Sequence, residues 1–122
     1  MKTRTAASVW LMYRHDFEET FHVLDGEIEV TVRGEASIVR IGDTANIPAN
    51  APHAFRNATD DTVRLLCTVA PAGLEEYFAE VGDAVASRTS PAPDLDEDAK
   101  GARMQKGLAL AAKYHVEIRP PE

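Results

Sequence analysis

A histidine, an aromatic ring and an amide alternate along one short segment near the middle of the chain, at His53, Phe55 and Asn57. Side chains of a β-strand point alternately to its two faces, so these three residues share one face. An imidazole transfers protons near neutral pH or binds a metal ion. The spacing therefore predicts a histidine that points into an interior space beside an aromatic ring and an amide.

Two tight turns hold this segment in place. Gly42-Asp43 suits the first turn, because glycine accepts a positive φ without a Cβ clash. Pro48-Ala49-Asn50 suits the second, because proline fixes φ and asparagine tolerates the left-handed region. Residues 44–47 between the turns predict a short strand, and the strand that carries His53 follows.

The spacing of Gly42, Pro48, His53 and Asn57 resembles the second motif of the cupin superfamily, and Glu19–Gly26 resembles the end of the first motif. The tail of the chain looks like that of small single-domain cupins similar to quercetin dioxygenases. The resemblance implies an all-β cupin barrel, also called a double-stranded β-helix or jelly roll, with short C-terminal helices.

The cupin resemblance also implies a metal site made from two histidines and a glutamate of the first motif and one histidine of the second. Met12 and Arg14 stand where the histidine pair is expected. His15 precedes Glu19 at a separation that the family motif allows, so His15, Glu19 and His53 form a reduced ligand set. Such a set suits Fe, Mn, Ni, Cu or Zn and leaves open positions for substrate or dioxygen.

Arg14 favours a metal-free alternative, because a guanidinium keeps its proton and repels a neighbouring cation. Arg14 would then grip an anionic or carbonyl group, while Glu19 and His53 form a catalytic acid–base pair suited to proton abstraction beside a carbonyl. In a third interpretation the site is inactive, because Arg14 and Glu19 form a salt bridge that fills it.

Three functions stay open at this point. The first is a quercetinase-like metal-dependent dioxygenase, and the second is a metal-free isomerase, cyclase or lyase. The third is a non-catalytic binding or sensory cupin with a degenerate metal site. Each function places a small organic molecule inside the barrel.

Other residues of the predicted inward face are either packed core or the wall of a ligand cavity. His22 is out of phase with Glu19 and should face away from the interior, and His115 is expected to pack or face solvent. Asn57 suits hydrogen bonds to a neighbouring strand as well as a place in the pocket. The predicted pocket residues are Trp10, Met12, Phe21, Phe55, Asn57 and Cys67.

Apolar alternation and turn signals predict consecutive short strands, as in a sandwich or barrel. Asp25-Gly26 and Arg33-Gly34-Glu35 are predicted turns, the first of them a hairpin. The predicted strands span 6–13, 19–24, 27–33, 36–41, 44–47, 53–57 and 63–69.

After residue 71, apolar residues recur at helical spacing. A short amphipathic helix is predicted to close at Gly82, followed by an exposed linker over 87–98. A second helix is predicted over about 96–114, with Met104, Leu108 and Ala112 on one stripe, and 116–118 predicts a last strand. The interpretation is a single domain over 1–122, with a barrel core at about 6–71 and a helical extension at about 72–122.

Composition narrows the function further. The 122 residues are 44% hydrophobic, enough for a single core. A net charge of −7 opposes non-specific binding to nucleic acid or anionic membranes. No apolar window is long enough for a membrane span, no signal peptide is evident, and the one cysteine excludes an intrachain disulfide. We therefore expect a cytoplasmic protein whose partner is a small molecule.

Assembly can be predicted from the first strand. Only residues 1–8 precede Val9, so the strand over 6–13 has little chain with which to pair, and a barrel edge should be uncovered. An exposed edge invites pairing with another chain. The sequence therefore predicts a homodimer.

Overall fold

The computed structural model describes residues 2–3 and 12–119. The chain forms two compact units, one of residues up to Pro71 together with the strand that begins at Val116, the other of residues 72–115. The first unit holds two antiparallel sheets, and the second is mostly helical. The expected all-β fold with short C-terminal helices is confirmed.

Both sheets are built entirely from antiparallel pairs. The first sheet has the order β1-β8-β3-β6, and the second has the order β5-β4-β7-β2-β9. Within the described residues, the strands are β1 (Lys2–Thr3), β2 (Met12–His15), β3 (Glu18–Asp25), β4 (Glu27–Val32), β5 (Glu35–Arg40), β6 (Thr44–Ile47), β7 (His53–Arg56), β8 (Val63–Ala70) and β9 (Val116–Arg119).

The hydrophobic core lies between the sheets and follows from alternation along their strands. Phe21 and Val23 of β3 are buried, whereas Leu24 of the same strand is exposed. The second sheet contributes Ile28 and Val30 from alternate positions of β4. Burying an aliphatic or aromatic side chain of this size contributes roughly 1.5–3 kcal/mol. The core cluster comprises Phe21, Val23, Ile28, Val30, Val39, Ile47, Ala51, Val63 and Leu65.

The turn at Arg33-Gly34 is a tight hairpin between β4 and β5. Both residues have positive φ, 51° and 84°, and Val32 pairs with Glu35 across the turn. Positive φ at both central positions is the geometry that matches the twist of the paired strands. The predicted turn at this position is confirmed.

The turn at Asp25-Gly26 differs from the predicted hairpin. It connects β3 of the first sheet to β4 of the second, so the two strands that it joins do not pair. Gly26 is needed there because its φ is 78° and an added Cβ would lie 3.0 Å from Cγ2 of Val63. The local signal identified a turn correctly but could not show that the chain changes sheets.

The edge at β2 is closed by the chain itself. Residues 6–11 of the predicted first strand lie outside the described residues, and β2 continues to His15. β9 pairs with β2 on the side away from β7, with Tyr13 opposite Ile118. The edge that was expected to be uncovered is therefore covered at residues 12–15. This pairing removes one reason to expect a homodimer, which stays a prediction.

The helical unit contains α1 (Leu74–Val81), α2 (Glu97–Ala111) and a 3-10 turn (Ala112–Tyr114). Gly82 ends α1 as predicted, and its backbone N–H donates to the carbonyl of Phe78. Asp96 caps α2 by accepting a hydrogen bond from the N–H of Ala99.

Polar side-chain contacts join α1 to the rest of this unit. Tyr77 donates to the carbonyl of Gly107 at 2.9 Å, and Tyr114 donates to Glu80. Met104 and Leu108 are exposed, so the predicted apolar stripe of α2 does not form a buried face. No helix in the described part of the chain is long and apolar enough to cross a membrane.

Candidate metal centre

Three buried side chains from both sheets meet at one place in the first unit. His15 ends β2 and His53 begins β7, which are neighbours in the second sheet, whereas Glu19 lies near the start of β3 in the first sheet. Their exposed fractions are 5%, 1% and 6% respectively. The protein thus removes two imidazoles and a carboxylate from water, which is costly unless the groups have partners.

The backbone sets the tautomer of both histidines. Nδ1 of His15 donates to the carbonyl of Phe17 at 2.8 Å, and Nδ1 of His53 donates to the carbonyl of Ala51 at 2.9 Å. A carbonyl oxygen only accepts, so each Nδ1 carries a hydrogen. In the neutral form, each Nε2 therefore presents a lone pair.

Both Nε2 atoms face the same carboxylate oxygen. Nε2 of His53 lies 3.2 Å from Oε1 of Glu19, and Nε2 of His15 lies 3.4 Å from it. Despite that distance, Nε2 of His15 is not oriented for a hydrogen bond and is a buried polar atom without a hydrogen-bond partner. Three lone pairs that converge in a buried place need a shared cation, either a proton or a metal ion.

The spacing of these atoms fits a metal ion. The three candidate ligand atoms all lie within 4.8 Å of one another. Two ligands about 2.1 Å from a common ion, at angles of roughly 90–110°, are roughly 3.0–3.4 Å apart. The observed N–O separations of 3.2 and 3.4 Å match that range. The predicted set His15, Glu19 and His53 is thus placed closely enough to hold a transition metal, whose identity is open.

Glu19 is held in its ionised form. Burial by itself would raise the pKa of this carboxyl, but its contacts with His15, His53 and Cys67 outweigh burial and lower the pKa from 4.5 to about 2. Burial and the charge of Glu19 together raise the pKa of the Cys67 thiol to about 12. The cluster therefore combines a carboxylate with a protonated thiol at neutral pH.

Two contacts that hold His15 could not be read from the motif. The ring of Phe17 stacks on the His15 ring, with centroids 3.9 Å apart and planes 1° from parallel. The backbone N–H of Asn50 donates to the carbonyl of His15 at 2.6 Å, so the turn before His53 also fixes the end of β2. Phe17 lies in the bend between β2 and β3, so strand alternation from His15 could not place its ring, and the backbone contact has no signal in the sequence either.

Arg14 does not join the cluster. Its side chain is exposed, and adjacent residues of a strand point to opposite faces, so buried His15 takes the inward direction. Among the ion pairs of the described residues, none joins Arg14 to Glu19. The structure thus corrects the alignment that put Arg14 at the ligand position: the inward phase of β2 is shifted by one residue.

The predicted pocket residues divide into different environments. Phe21 is fully buried in the core, and its ring packs on that of Phe55 at a centroid distance of 4.8 Å. Asn57 donates to the carbonyl of Asp61 and accepts from Thr59, so it braces a loop. Cys67 contacts Glu19 directly. Trp10 and the side chain of Met12 lie outside the described part of the chain.

The remaining histidines lie away from the cluster. His22 is on the outer face of β3, where its Nδ1 lies 2.8 Å from the hydroxyl of Thr44. His115 is exposed and adopts a left-handed conformation with φ of 63°. Their placement agrees with the expectation that neither is a ligand.

Comparison with known proteins identifies the class. The model of the cupin domain family matches residues 5–69, and the matched segment includes all three residues of the cluster. The chain therefore belongs to the cupin domain family. Quercetin 2,3-dioxygenase of Bacillus subtilis is 31% identical to it over 106 residues, which are 87% of this chain and 31% of that protein. The chain thus spans about a third of the length of this relative.

Solved structures show the same fold. A protein assigned to ethanolamine utilization (EutQ) from Salmonella typhimurium is 30% identical, with a TM-score of 0.50 over 60% of this chain and 55% of that chain. The cupin domain of Schizosaccharomyces pombe Cnp3 is 24% identical, with a TM-score of 0.52 over 67% of this chain and 60% of that chain. The second likeness concerns the fold alone.

Proposed function

We propose that this cupin is a metal-dependent enzyme that acts on a small organic molecule, with dioxygenase chemistry like that named for its Bacillus relative. One observation carries the proposal: two buried Nε2 lone pairs, fixed by Nδ1 hydrogen bonds to the backbone, face one oxygen of an ionised carboxylate. A divalent ion such as Fe, Mn, Ni, Cu or Zn satisfies all three groups at once.

The ligands in this proposal are His15, Glu19 and His53. The bound ion would supply Lewis-acid activation and, if it is redox-active, the chemistry of dioxygen. The two backbone carbonyls hold the imidazoles in the tautomer that binds a metal, and such outer contacts also make the ligand nitrogen more basic. Three protein ligands leave coordination positions open for the substrate.

The metal-free reading is less well supported. A general base works best when its pKa lies near the working pH, whereas the contacts of Glu19 lower its pKa to about 2. Arg14, which that reading needs inside the barrel, is exposed. Glu19 therefore lacks the basicity that proton abstraction would require, and the cluster lacks the anion-binding partner.

Oxygen uptake tests the proposed chemistry. Chelator-stripped protein would be reloaded separately with each of the five metals, and oxygen consumption with quercetin as the probe would be recorded. We expect at least one metal to give oxygen uptake that His53→Ala abolishes and His22→Ala preserves. Metal binding without uptake would contradict the dioxygenase activity and leave a metal-binding cupin with other chemistry.

A further inference from the structure

Cys67 contacts the carboxylate on the side away from the histidines. Its Sγ donates a hydrogen bond to Oε2 of Glu19, with the two atoms 3.2 Å apart. The register of β3 and β8 explains this contact. Phe21 pairs with Cys67, and Glu19 pairs with Val69. Cys67 is thus diagonal to Glu19 on the same face of the sheet, at a separation that side chains can bridge.

The two oxygens of Glu19 consequently have different environments. Oε1 faces Nε2 of both His15 and His53, whereas Oε2 accepts from the thiol. A carboxylate can bind a metal through one oxygen or both. A donor on Oε2 favours the first mode, because an oxygen that accepts a hydrogen bond is less available to the ion.

We propose that Cys67 is a positioning residue, which holds Glu19 as a one-oxygen ligand with Oε1 directed toward the two imidazoles. The proposal rests on the metal-binding function proposed above. The thiol does not act as a fourth ligand, because its sulfur is not in the described group of ligand atoms that lie within 4.8 Å of one another. A residue that hydrogen-bonds a metal-ligating carboxylate affects metal binding, because it sets the orientation and the basicity of that carboxylate.

Three variants separate positioning from packing. Cys67→Ala removes the donor, and Cys67→Ser keeps a donor at the same place. Val69→Ala is the matched control, because Val69 is half-buried on the same strand, lies opposite Glu19 and donates nothing. Tag-free protein would be stripped of metal, and Co²⁺ affinity would be measured by competition with a coloured chelator. The visible spectrum of bound Co²⁺, which reports coordination geometry, would be recorded for each variant.

We expect Cys67→Ala to lower the Co²⁺ affinity about 10-fold or more and to change the spectrum. Cys67→Ser and Val69→Ala should keep the native spectrum, with affinities within about threefold of the native value. A native spectrum and affinity in Cys67→Ala would overturn the positioning role while leaving the metal site intact. Equal losses in Cys67→Ser and Cys67→Ala would also overturn it. If the native chain binds no Co²⁺, both proposals fall.

Discussion

Nε2 of His53 lies 3.2 Å from Oε1 of Glu19, although the two residues belong to different sheets. The contact is possible because β3 and β7 direct their buried side chains into the same space between the sheets. His15 reaches the same oxygen from β2. The candidate centre is therefore a product of sheet packing, and it should respond to changes in either sheet.

Loss of one ligand should abolish tight metal binding. We expect His53→Ala to lower metal affinity by more than the roughly 10–100-fold that loss of an outer partner costs. The unfolding free energy should fall by about 1–3 kcal/mol, because the carbonyl of Ala51 loses its donor. Calorimetric titration and urea unfolding measure the two effects. His22→Ala is the control on a half-buried histidine outside the cluster, and equal affinity in both variants would show that His53 is not a ligand.

We expect the stability of the metal-free protein at acidic pH to depend on the ionisation of Glu19. Its pKa is lowered from 4.5 to about 2, so its contribution is complete above pH 4.5 and disappears as the pH falls to 2. The shift corresponds to about 3 kcal/mol at most. We expect the difference in unfolding free energy between native protein and Glu19→Gln to shrink by an amount of this order from pH 5 to pH 2. A difference that stays constant over this range would contradict the lowered pKa.

Sequence patterns predicted most of the fold, because its local signals agree with its tertiary structure. The predicted strand over 44–47 coincides with β6, and the turn at Arg33-Gly34 forms as expected. The predicted hairpin at Asp25-Gly26 was wrong, because the residues of a glycine turn are the same whether the next strand pairs with the previous one or joins another sheet. Which strands pair depends on residues that are distant in the sequence, so the residues around one turn cannot reveal it.

The candidate site was predicted less completely. His53 and Glu19 lie in motifs with fixed spacing, whereas the bend at residues 16–17 separates β2 from Glu19, so the spacing to Glu19 does not fix the phase of β2. A shift of one residue exchanges the two faces of a strand, and that shift separates Arg14 from His15. The contact of Cys67 with Glu19 depends on the register between β3 and β8, so its residue type alone could not reveal it.

The corrected phase of β2 leads to a prediction about Arg14. Its side chain is exposed, so Arg14→His should leave metal affinity within about twofold and unfolding free energy within about 0.5 kcal/mol of the native values. Metal titration and chemical unfolding of this variant test both values. A large gain in metal affinity would place residue 14 inside the centre and would contradict the observed phase.

Strand β9 should support both stability and the metal centre. Removal of residues 116–122 would uncover the edge of β2, where His15 pairs with Val116, and would delete a buried valine. We expect a loss of about 2–4 kcal/mol in unfolding free energy, weaker metal binding and self-association through the free edge. Sedimentation velocity and urea unfolding measure these effects. A truncated chain that is equally stable and associates no further than the native chain would show that β9 does not close the sheet.

The central claim is that His15, Glu19 and His53 together hold one transition metal. The most direct measurement is the number of metal ions retained per chain after tag-free protein is stripped, reloaded and dialysed, determined by elemental mass spectrometry. We predict one ion per native chain and almost none in His15→Ala, with His115→Ala as the control that retains one. A native chain that retains no metal, or a His15→Ala variant that retains a full equivalent, would contradict the claim.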